Sequence, residues 1–170
     1  MGRKNKYKWL FSFCAKQIPF ITSLLILIFS FAIPTMYNSK ATLVLIPIFY
    51  WGMEKTKSFD FIFVMLFGFI QDFIDGTQFG FNIFIFLSLY FIVYYQKFFQ
   101  IDTSFAFSYL AFSLTTLSLL LLKYFIISSM FIENINFFNI IVSWAILILF
   151  YPVFFWGLQK VNTIVRKYNA

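Results

Sequence analysis

Long apolar segments follow one another along this chain, and only short polar loops separate them. Hydrophobic residues make up 62% of the sequence and charged residues 11%, whereas a soluble domain is about one-quarter charged. A chain with so few charges could not cover a water-facing surface with polar atoms. We therefore predict an all-α integral membrane protein.

Six apolar segments are predicted to form a bundle of six transmembrane helices. They comprise residues 18–36, 41–53, 59–75, 80–95, 104–127 and 137–158. The second segment would rise only about 20 Å as a helix, against about 30 Å for the core of a bilayer. It therefore either begins before residue 41 or enters the membrane without crossing it. Pro47 is expected to kink this helix, and Trp51 is expected to be an anchor at the membrane interface.

The distribution of cations predicts the orientation of the six segments. With the N-terminus in the cytoplasm, five cations precede the first helix and three lie in the tail. The second loop holds two more cations and the fourth loop holds one. Lys40 and Lys123 are the two that remain outside. This bias follows the positive-inside rule and argues that the second segment crosses. The predicted units are a basic cytoplasmic N-terminus (1–17), one transmembrane domain (18–158) and a basic cytoplasmic tail (159–170).

The net charge of +7 could suggest nucleic acid as a partner. However, the cations cluster beside the apolar segments, where they serve topology and attraction to anionic lipid. The bilayer is therefore the predicted partner of this charge, and nucleic acid is not.

The stretch from Gly68 to Gly80 is the most polar part of the apolar region. Asp72 and Asp75 are three residues apart and share one face of a helix. An acid within an apolar segment is costly and is a functional-site hypothesis by default. Gly76 and Gly80 are expected to end the helix and form a turn. The stretch therefore predicts a functional corner at the outer membrane surface.

Gly68 lies one helical turn before Asp72, so the acidic face of the third helix has a small notch. The notch allows close approach of another helix, which could come from this chain or from a partner. A homodimer is one possible assembly of the chain. Asp72 and Lys123 both lie toward the outer side, where an ion pair would lower the cost of burying each. Alternatively, Lys123 reaches the headgroups without a pair, and Asp75 is an ordinary interfacial acid.

The sequence does not favour an enzyme. It contains no His and a single Cys, Cys14, which excludes a zinc site of the His and Cys type and His-based acid–base catalysis. Two carboxylates that share a proton could suggest an intramembrane aspartyl protease. Those enzymes usually take their acids from two helices, whereas Asp72 and Asp75 lie on one. We therefore expect no catalytic residue, no metal and no cofactor.

The order of motifs resembles the MreD family, small membrane proteins of the bacterial rod-shape system. In that family a Pro and an aromatic–Trp pair precede a charged loop, a Gly-hydrophobic-x-x-Asp motif and a turn with two further glycines. The corresponding residues are Pro47, Tyr50–Trp51, Gly68-Phe-Ile-Gln-Asp72, Gly76 and Phe79–Gly80. The specific part covers about 35 residues, 47–82, while length, number of spans and the basic N-terminus agree over most of the chain. The basic residue often found soon after the Trp is represented only by Lys55 or Lys57.

The resemblance implies a non-enzymatic scaffold in the bacterial inner (cytoplasmic) membrane. MreD-like proteins associate with MreC, a single-span periplasmic coiled-coil protein. Through it they associate with cytoskeletal MreB and with RodA and its penicillin-binding transpeptidase, which build lateral peptidoglycan. The implied fold is similar to the six-helix substrate-binding subunits of energy-coupling-factor vitamin transporters. The expected docking surface for a partner's transmembrane helix consists of Gly68, Asp72, Asp75, Gly76 and Gly80.

The alternative function is a substrate-binding subunit of a small-solute transporter. Such subunits typically contact their energising module through an Ala-x-x-x-Ala pattern on the first helix, and residues 18–34 contain no such pair. A solute pocket also needs several convergent polar groups. Outside residues 68–82 the best candidates are Thr115, Thr116 and Ser118.

Overall fold

The computed structural model describes residues 17–30, 43–54, 60–76, 78–99, 104–130 and 137–169. Every regular element within these ranges is a helix, and there are six. They are α1 (Gln17–Ser30), α2 (Leu45–Met53), α3 (Phe61–Asp75), α4 (Phe81–Phe99), α5 (Phe105–Met130) and α6 (Phe137–Asn169). The prediction of an all-helical protein with six helices is confirmed to this extent.

Two of the described helices are long and apolar enough to cross a membrane, and they are α5 and α6. In the most apolar 18-residue stretch of each helix, only 22% of the residues are buried inside the protein. Their outward side chains are large and apolar, as Phe125 and Leu149 illustrate with exposed fractions of 70% and 68%. A water-facing surface of this kind is unfavourable, whereas lipid matches it. Six full spans stay a prediction.

Helix α2 lies at the centre of the molecule. All seven residues from Leu45 to Trp51 are buried, and the helix contacts α4, α5 and α6. Its nine residues rise about 13 Å, less than half of the roughly 30 Å of a bilayer core. The helix is therefore shorter than the predicted segment 41–53, of which residues 41 and 42 lie outside the described ranges.

The structure corrects two expectations about α2. Pro47 lies in the first turn of the helix, where its missing N–H interrupts no intrahelical hydrogen bond, so it is compatible with a straight start. Trp51 is 1% exposed and donates its indole N–H to Thr22 Oγ1 of α1 at 3.2 Å. Its side chain therefore lies in the protein interior, not at the membrane interface. The sequence alone did not reveal that other helices surround this short segment.

Aromatic rings join α2 to the pair formed by α5 and α6. Tyr151 of α6 is fully buried and stacks on Phe112 of α5 at 4.3 Å between ring centroids. Phe49 of α2 meets both rings edge-on, at 5.2 Å and 6.2 Å. Edge-to-face and stacked arrangements add to the stabilisation that burial already provides. The hydroxyls of Tyr151 and Ser108 share a hydrogen bond of 2.6 Å, which satisfies both within the apolar core.

Contacts at the helix ends show that successive helices alternate in direction. Lys97, near the end of α4, donates to the carbonyl oxygen of Glu54, just after α2. Asn162, toward the end of α6, donates to the Tyr50 hydroxyl of α2 at 3.4 Å. The ends of α2, α4 and α6 therefore meet, and we call this the basic end of the molecule. The arrangement agrees with the alternation in the predicted topology.

Helix α6 continues well beyond residue 158, where the sequence predicted the start of a tail. It runs to Asn169 and contains Pro152 in its interior, not near its end. The prediction stopped where the apolar pattern stops. No Gly or Pro follows Gly157, so no residue there breaks the helix when the side chains become polar.

Candidate functional site: the corner between α3 and α4

The chain reverses direction between α3 and α4 through two glycines with positive φ. Gly76 follows the last residue of α3 at φ +64°, and Gly80 precedes α4 at φ +95°. Other residues adopt these backbone conformations only with strain. The predicted helix end and turn at these glycines are confirmed, with α3 ending at Asp75.

Asp72 caps the start of α4 from the preceding helix. Its Oδ2 accepts the Gly80 backbone N–H, and its Oδ1 accepts the Asn82 backbone N–H, both at 2.8 Å. The first N–H groups of a helix have no partner within the helix, and they form the positive end of its dipole. Asp72 is 2% exposed, so these charge-assisted bonds form in an environment that water does not screen. Both oxygens are thus used in holding α3 and α4 together.

Gly68 lies where α3 and α4 approach most closely. A Cβ atom at this position would lie 2.5 Å from the Ile83 Cα and 2.8 Å from the Ile83 backbone nitrogen. Since the obstacle is backbone, rotation of a side chain could not relieve it. The neighbour at the predicted notch is therefore a helix of this chain, the first of the two alternatives left open by the sequence.

Asn82 connects the acidic residues to α5. Its side-chain amide donates to Asp75 Oδ2 at 3.3 Å, and its Oδ1 accepts from Lys123 Nζ at 3.4 Å. Gln71 donates to the other Asp75 oxygen at 3.0 Å. Asn82 is 1% exposed and Gln71 is 5% exposed, so this hydrogen-bonded group lies inside the protein. It places α3, α4 and α5 in one polar contact.

Lys123 and Asp72 both reach Asn82, from different sides. Lys123 contacts the side chain of Asn82 and also lies 5.6 Å from the centroid of the Phe81 ring, while Asp72 binds the Asn82 backbone. The first turn of α4 therefore lies at the meeting point of the two predicted partners. The ion pair between them stays a prediction.

Sequence reasoning missed Asn82 and Gln71. A signal for Asn82 was present, because it is the one strongly polar residue near the start of the apolar segment after Gly80. Such a residue in an apolar helix needs a polar neighbour. Gln71 lies next to Asp72, and its neutral side chain gives a weaker signal than the neighbouring acid.

Three phenylalanines form an exposed group on the outside of the corner. Phe69 and Phe73 of α3 and Phe79 of the turn are 44%, 62% and 67% exposed. Their ring centroids lie 4.9 Å, 5.0 Å and 5.7 Å apart, so each ring contacts the other two. We call this the corner aromatic cluster. It is the apolar surface that the corner presents to its surroundings.

The hydroxyls of α5 that could have lined a solute pocket bind their own helix. Thr115, Thr116 and Ser118 all donate to backbone carbonyl oxygens three or four residues earlier in α5. The donor hydrogens of these three hydroxyls are therefore used within α5. Among the described residues, no group of three or more His, Cys, Asp or Glu side chains could hold a metal ion.

Comparison with known proteins gives one match. A family model described as rod shape-determining protein MreD matches residues 4–161. The matched region includes the whole corner and the first five helices, and it extends into α6. No curated protein and no solved structure matches the chain.

Proposed function

Because this chain belongs to the MreD family of rod shape-determining membrane proteins, we propose that it is a non-enzymatic scaffold of the bacterial cell-elongation complex. The family match over residues 4–161 is the observation that carries the proposal. The scaffold lies in the cytoplasmic membrane and docks an MreC-like single-span protein. It thereby connects MreB indirectly with RodA and its transpeptidase during lateral peptidoglycan synthesis.

The docking surface is the corner aromatic cluster, and Gly68 and Asp72 support it from inside. Gly68 meets the backbone of α4, and Asp72 is 2% exposed. A partner helix therefore has no direct access to either without separating α3 from α4. Together with the turn glycines, these residues hold Phe79 beside Phe69 and Phe73. A partner can touch the cluster, the partly exposed Asp75, and the exposed Gly76 and Gln78 of the turn.

The cluster suits a transmembrane helix that continues into the extracytoplasmic space. Helices associate in lipid mainly through close packing, and three rings that already contact one another lose little freedom on binding. Large aromatic side chains also dominate the energetics of interfaces. In the predicted orientation the cluster lies at the outer end of α3, where such a partner leaves the membrane.

The first test is a partner census with substitutions in the cluster. The protein carries a C-terminal tag, membranes are extracted in mild detergent, and the co-purifying proteins are identified. Phe73→Ala with Phe79→Ala is expected to reduce recovery of a single-span coiled-coil partner about tenfold, the effect of one hot-spot contact. Phe107→Ala is the matched control, because Phe107 is 48% exposed on α5 and lies about 24 Å along the helix from Lys123, which contacts the corner. Equal recovery from the cluster variant and this control would refute the proposed surface.

Asp72→Leu tests the supporting role of the acid. Leu leaves the N–H groups of Gly80 and Asn82 without acceptors, so we expect a loss of about 2–3 kcal/mol in the free energy of unfolding. Asp72→Asn keeps one acceptor oxygen and should lose less. Both variants are measured by thermal unfolding in detergent and by partner recovery. Asp60→Asn is the control, because Asp60 is exposed before α3 and its side chain makes no capping hydrogen bond. Weaker partner binding at unchanged stability would show instead that Asp72 contacts the partner directly.

The transporter alternative makes a different prediction for the same census. A solute-binding subunit would be recovered with a pair of ATPases and a coupling membrane subunit. The hydrogen bonds of Thr115, Thr116 and Ser118 within their own helix favour the scaffold. Recovery of such a transporter module with the wild-type protein would overturn the proposal.

A further inference from the structure

Gly157 in α6 has neither of the two roles that glycines play at the corner. Its φ is not positive, unlike that of Gly76 and Gly80. A Cβ atom built on it meets nothing within 4 Å, unlike at Gly68. Gly in a helix interior is less favourable than Ala. The residue therefore leaves an open notch in α6 that the packing of the described chain does not use.

The notch forms part of an open pocket of about 500 Å³ at the basic end. Its described lining comes from α6 alone and changes character along the helix. Val153, Trp156 and Gly157 form the first part, and Gln159, Lys160 and Thr163 form the second. Val153 and Trp156 are each 65% exposed, so the first part presents apolar surface. The second part presents the side-chain donors of Gln159 and Lys160, while the Thr163 hydroxyl donates to the Lys160 carbonyl oxygen at 2.7 Å.

The change from apolar to polar lining residues occurs at a position along α6 that corresponds to a membrane boundary. Helix α6 begins at Phe137, and the following 20 or so residues rise about 30 Å, the thickness of a bilayer core. Trp156 and Gly157 therefore lie at the far boundary when Phe137 lies at the near one. Lys160 and Thr163 then lie about 5 Å and 9 Å beyond Gly157, at the level of the headgroups. An exposed Trp at this depth is typical of a membrane interface.

Lys160 differs from the other described lysines in its lack of a protein partner. Lys97 donates to the Glu54 carbonyl oxygen and Lys123 to Asn82. The ammonium group of Lys160 makes no hydrogen bond or ion pair with any residue of the described ranges. From residue 137 to the end, the sequence has three cations and no acid. The pocket therefore carries a positive charge that no acid on its own helix neutralises.

We propose that this pocket, the α6 notch, binds one anionic phospholipid of the surrounding leaflet. The phosphate accepts hydrogen bonds from the Lys160 ammonium group and the Gln159 amide. The glycerol and the first part of an acyl chain cross Gly157 between Trp156 and Val153. A partner helix could also use an exposed glycine, but the donors of Gln159 and Lys160, with a cation that no acid of α6 neutralises, match a phosphate. The cytoplasmic leaflet supplies such lipids.

Lipid binding to the purified full-length protein tests the proposal. Native mass spectrometry measures the affinities for phosphatidylglycerol and for phosphatidylcholine with matched acyl chains. The wild type is expected to prefer phosphatidylglycerol. Lys160→Gln should weaken that binding about fivefold, the effect of one cation at an anionic membrane surface, and Lys160→Arg should retain it. Gly157→Leu fills the notch and should weaken the binding of both lipids.

Matched variants distinguish a specific lipid site from a general attraction between the basic end of α6 and anionic lipid. Arg166→Gln removes the same charge from the same helix, but it lies about 120° around the axis from Lys160, so its effect should be small. Trp156→Ala repeats the test of the notch at an exposed position if Gly157→Leu does not fold. Equal losses in Arg166→Gln and Lys160→Gln would overturn the proposal. So would a Gly157→Leu variant that loses a co-purifying protein but keeps its affinity for phosphatidylglycerol.

Discussion

The glycines of this protein show how one residue type serves unlike purposes in a membrane bundle. Gly76 and Gly80 supply positive φ values at the corner. Gly68 permits contact between the backbones of α3 and α4. Gly157 leaves space that the described chain does not fill. Substitution by Ala is therefore expected to affect stability differently in these three situations, although the sequence shows glycine at every position.

A pair of alanine substitutions tests this distinction. Gly68→Ala forces α4 away from α3, because the new Cβ would overlap the Ile83 backbone, and we expect a loss of about 1–3 kcal/mol in the free energy of unfolding. Gly157→Ala should be neutral or stabilising by up to about 1 kcal/mol, since Ala favours the helix and nothing obstructs it. Thermal unfolding in one detergent compares the two variants. A neutral Gly68→Ala would mean that the two helices separate at no cost.

Helix α2 is the element on which α4, α5 and α6 pack. It is the shortest helix described and the most completely buried, and its apolar residues contact α4, α5 and α6. In lipid, a helix gains little from burial of apolar side chains alone, so close packing has to stabilise it. The rings of Phe49, Phe112 and Tyr151 provide such packing at the centre of the molecule.

Phe49→Ala tests the central position of α2. It removes a fully buried ring and leaves a cavity among three helices, for which we expect a loss of about 3–5 kcal/mol. Phe107→Ala is the matched control, because Phe107 is 48% exposed on α5 and should change stability by about 0.5 kcal/mol or less. Thermal unfolding in detergent provides the measurement. Similar transitions for both variants would contradict a central role for α2.

The whole molecule has two chemically different ends. The end formed by the α3–α4 corner contains a buried polar group built from Asp72, Asp75, Asn82 and Lys123. The opposite, basic end contains Lys97 and Lys160. The positive-inside rule predicts that the basic end faces the cytoplasm and the corner faces the outside.

Cysteine labelling in intact cells tests this orientation. Cys14→Ser first removes the native thiol. Gln78→Cys then places a thiol on the exposed corner, and Thr163→Cys places one on the exposed face near the end of α6. A membrane-impermeant maleimide should label the corner variant in intact cells, and the α6 variant only after the cells are opened. The reverse pattern would invert the orientation and remove the corner aromatic cluster from the periplasmic side.

Much of the architecture could be predicted because it depends on neighbouring residues. Apolar runs predicted helices, Gly76 and Gly80 predicted the turn, and the boundaries of α3 and α5 agree with the segments 59–75 and 104–127 within a few residues. Backbone preference and hydropathy act over one or two turns of chain, so these properties are visible in the order of residues.

The interior position of α2, the capping of α4 by Asp72 and the link through Asn82 were not predictable in the same way. Trp51 and Pro47 carry the same local signals in a membrane-facing helix as in a buried one, and only the surrounding helices distinguish the two. Asp72 is costly in an apolar segment wherever it lies, but the partners that lower this cost are backbone N–H groups eight and ten residues away. The sequence shows that such a residue needs a partner, whereas the packing of α3 against α4 selects which one it has.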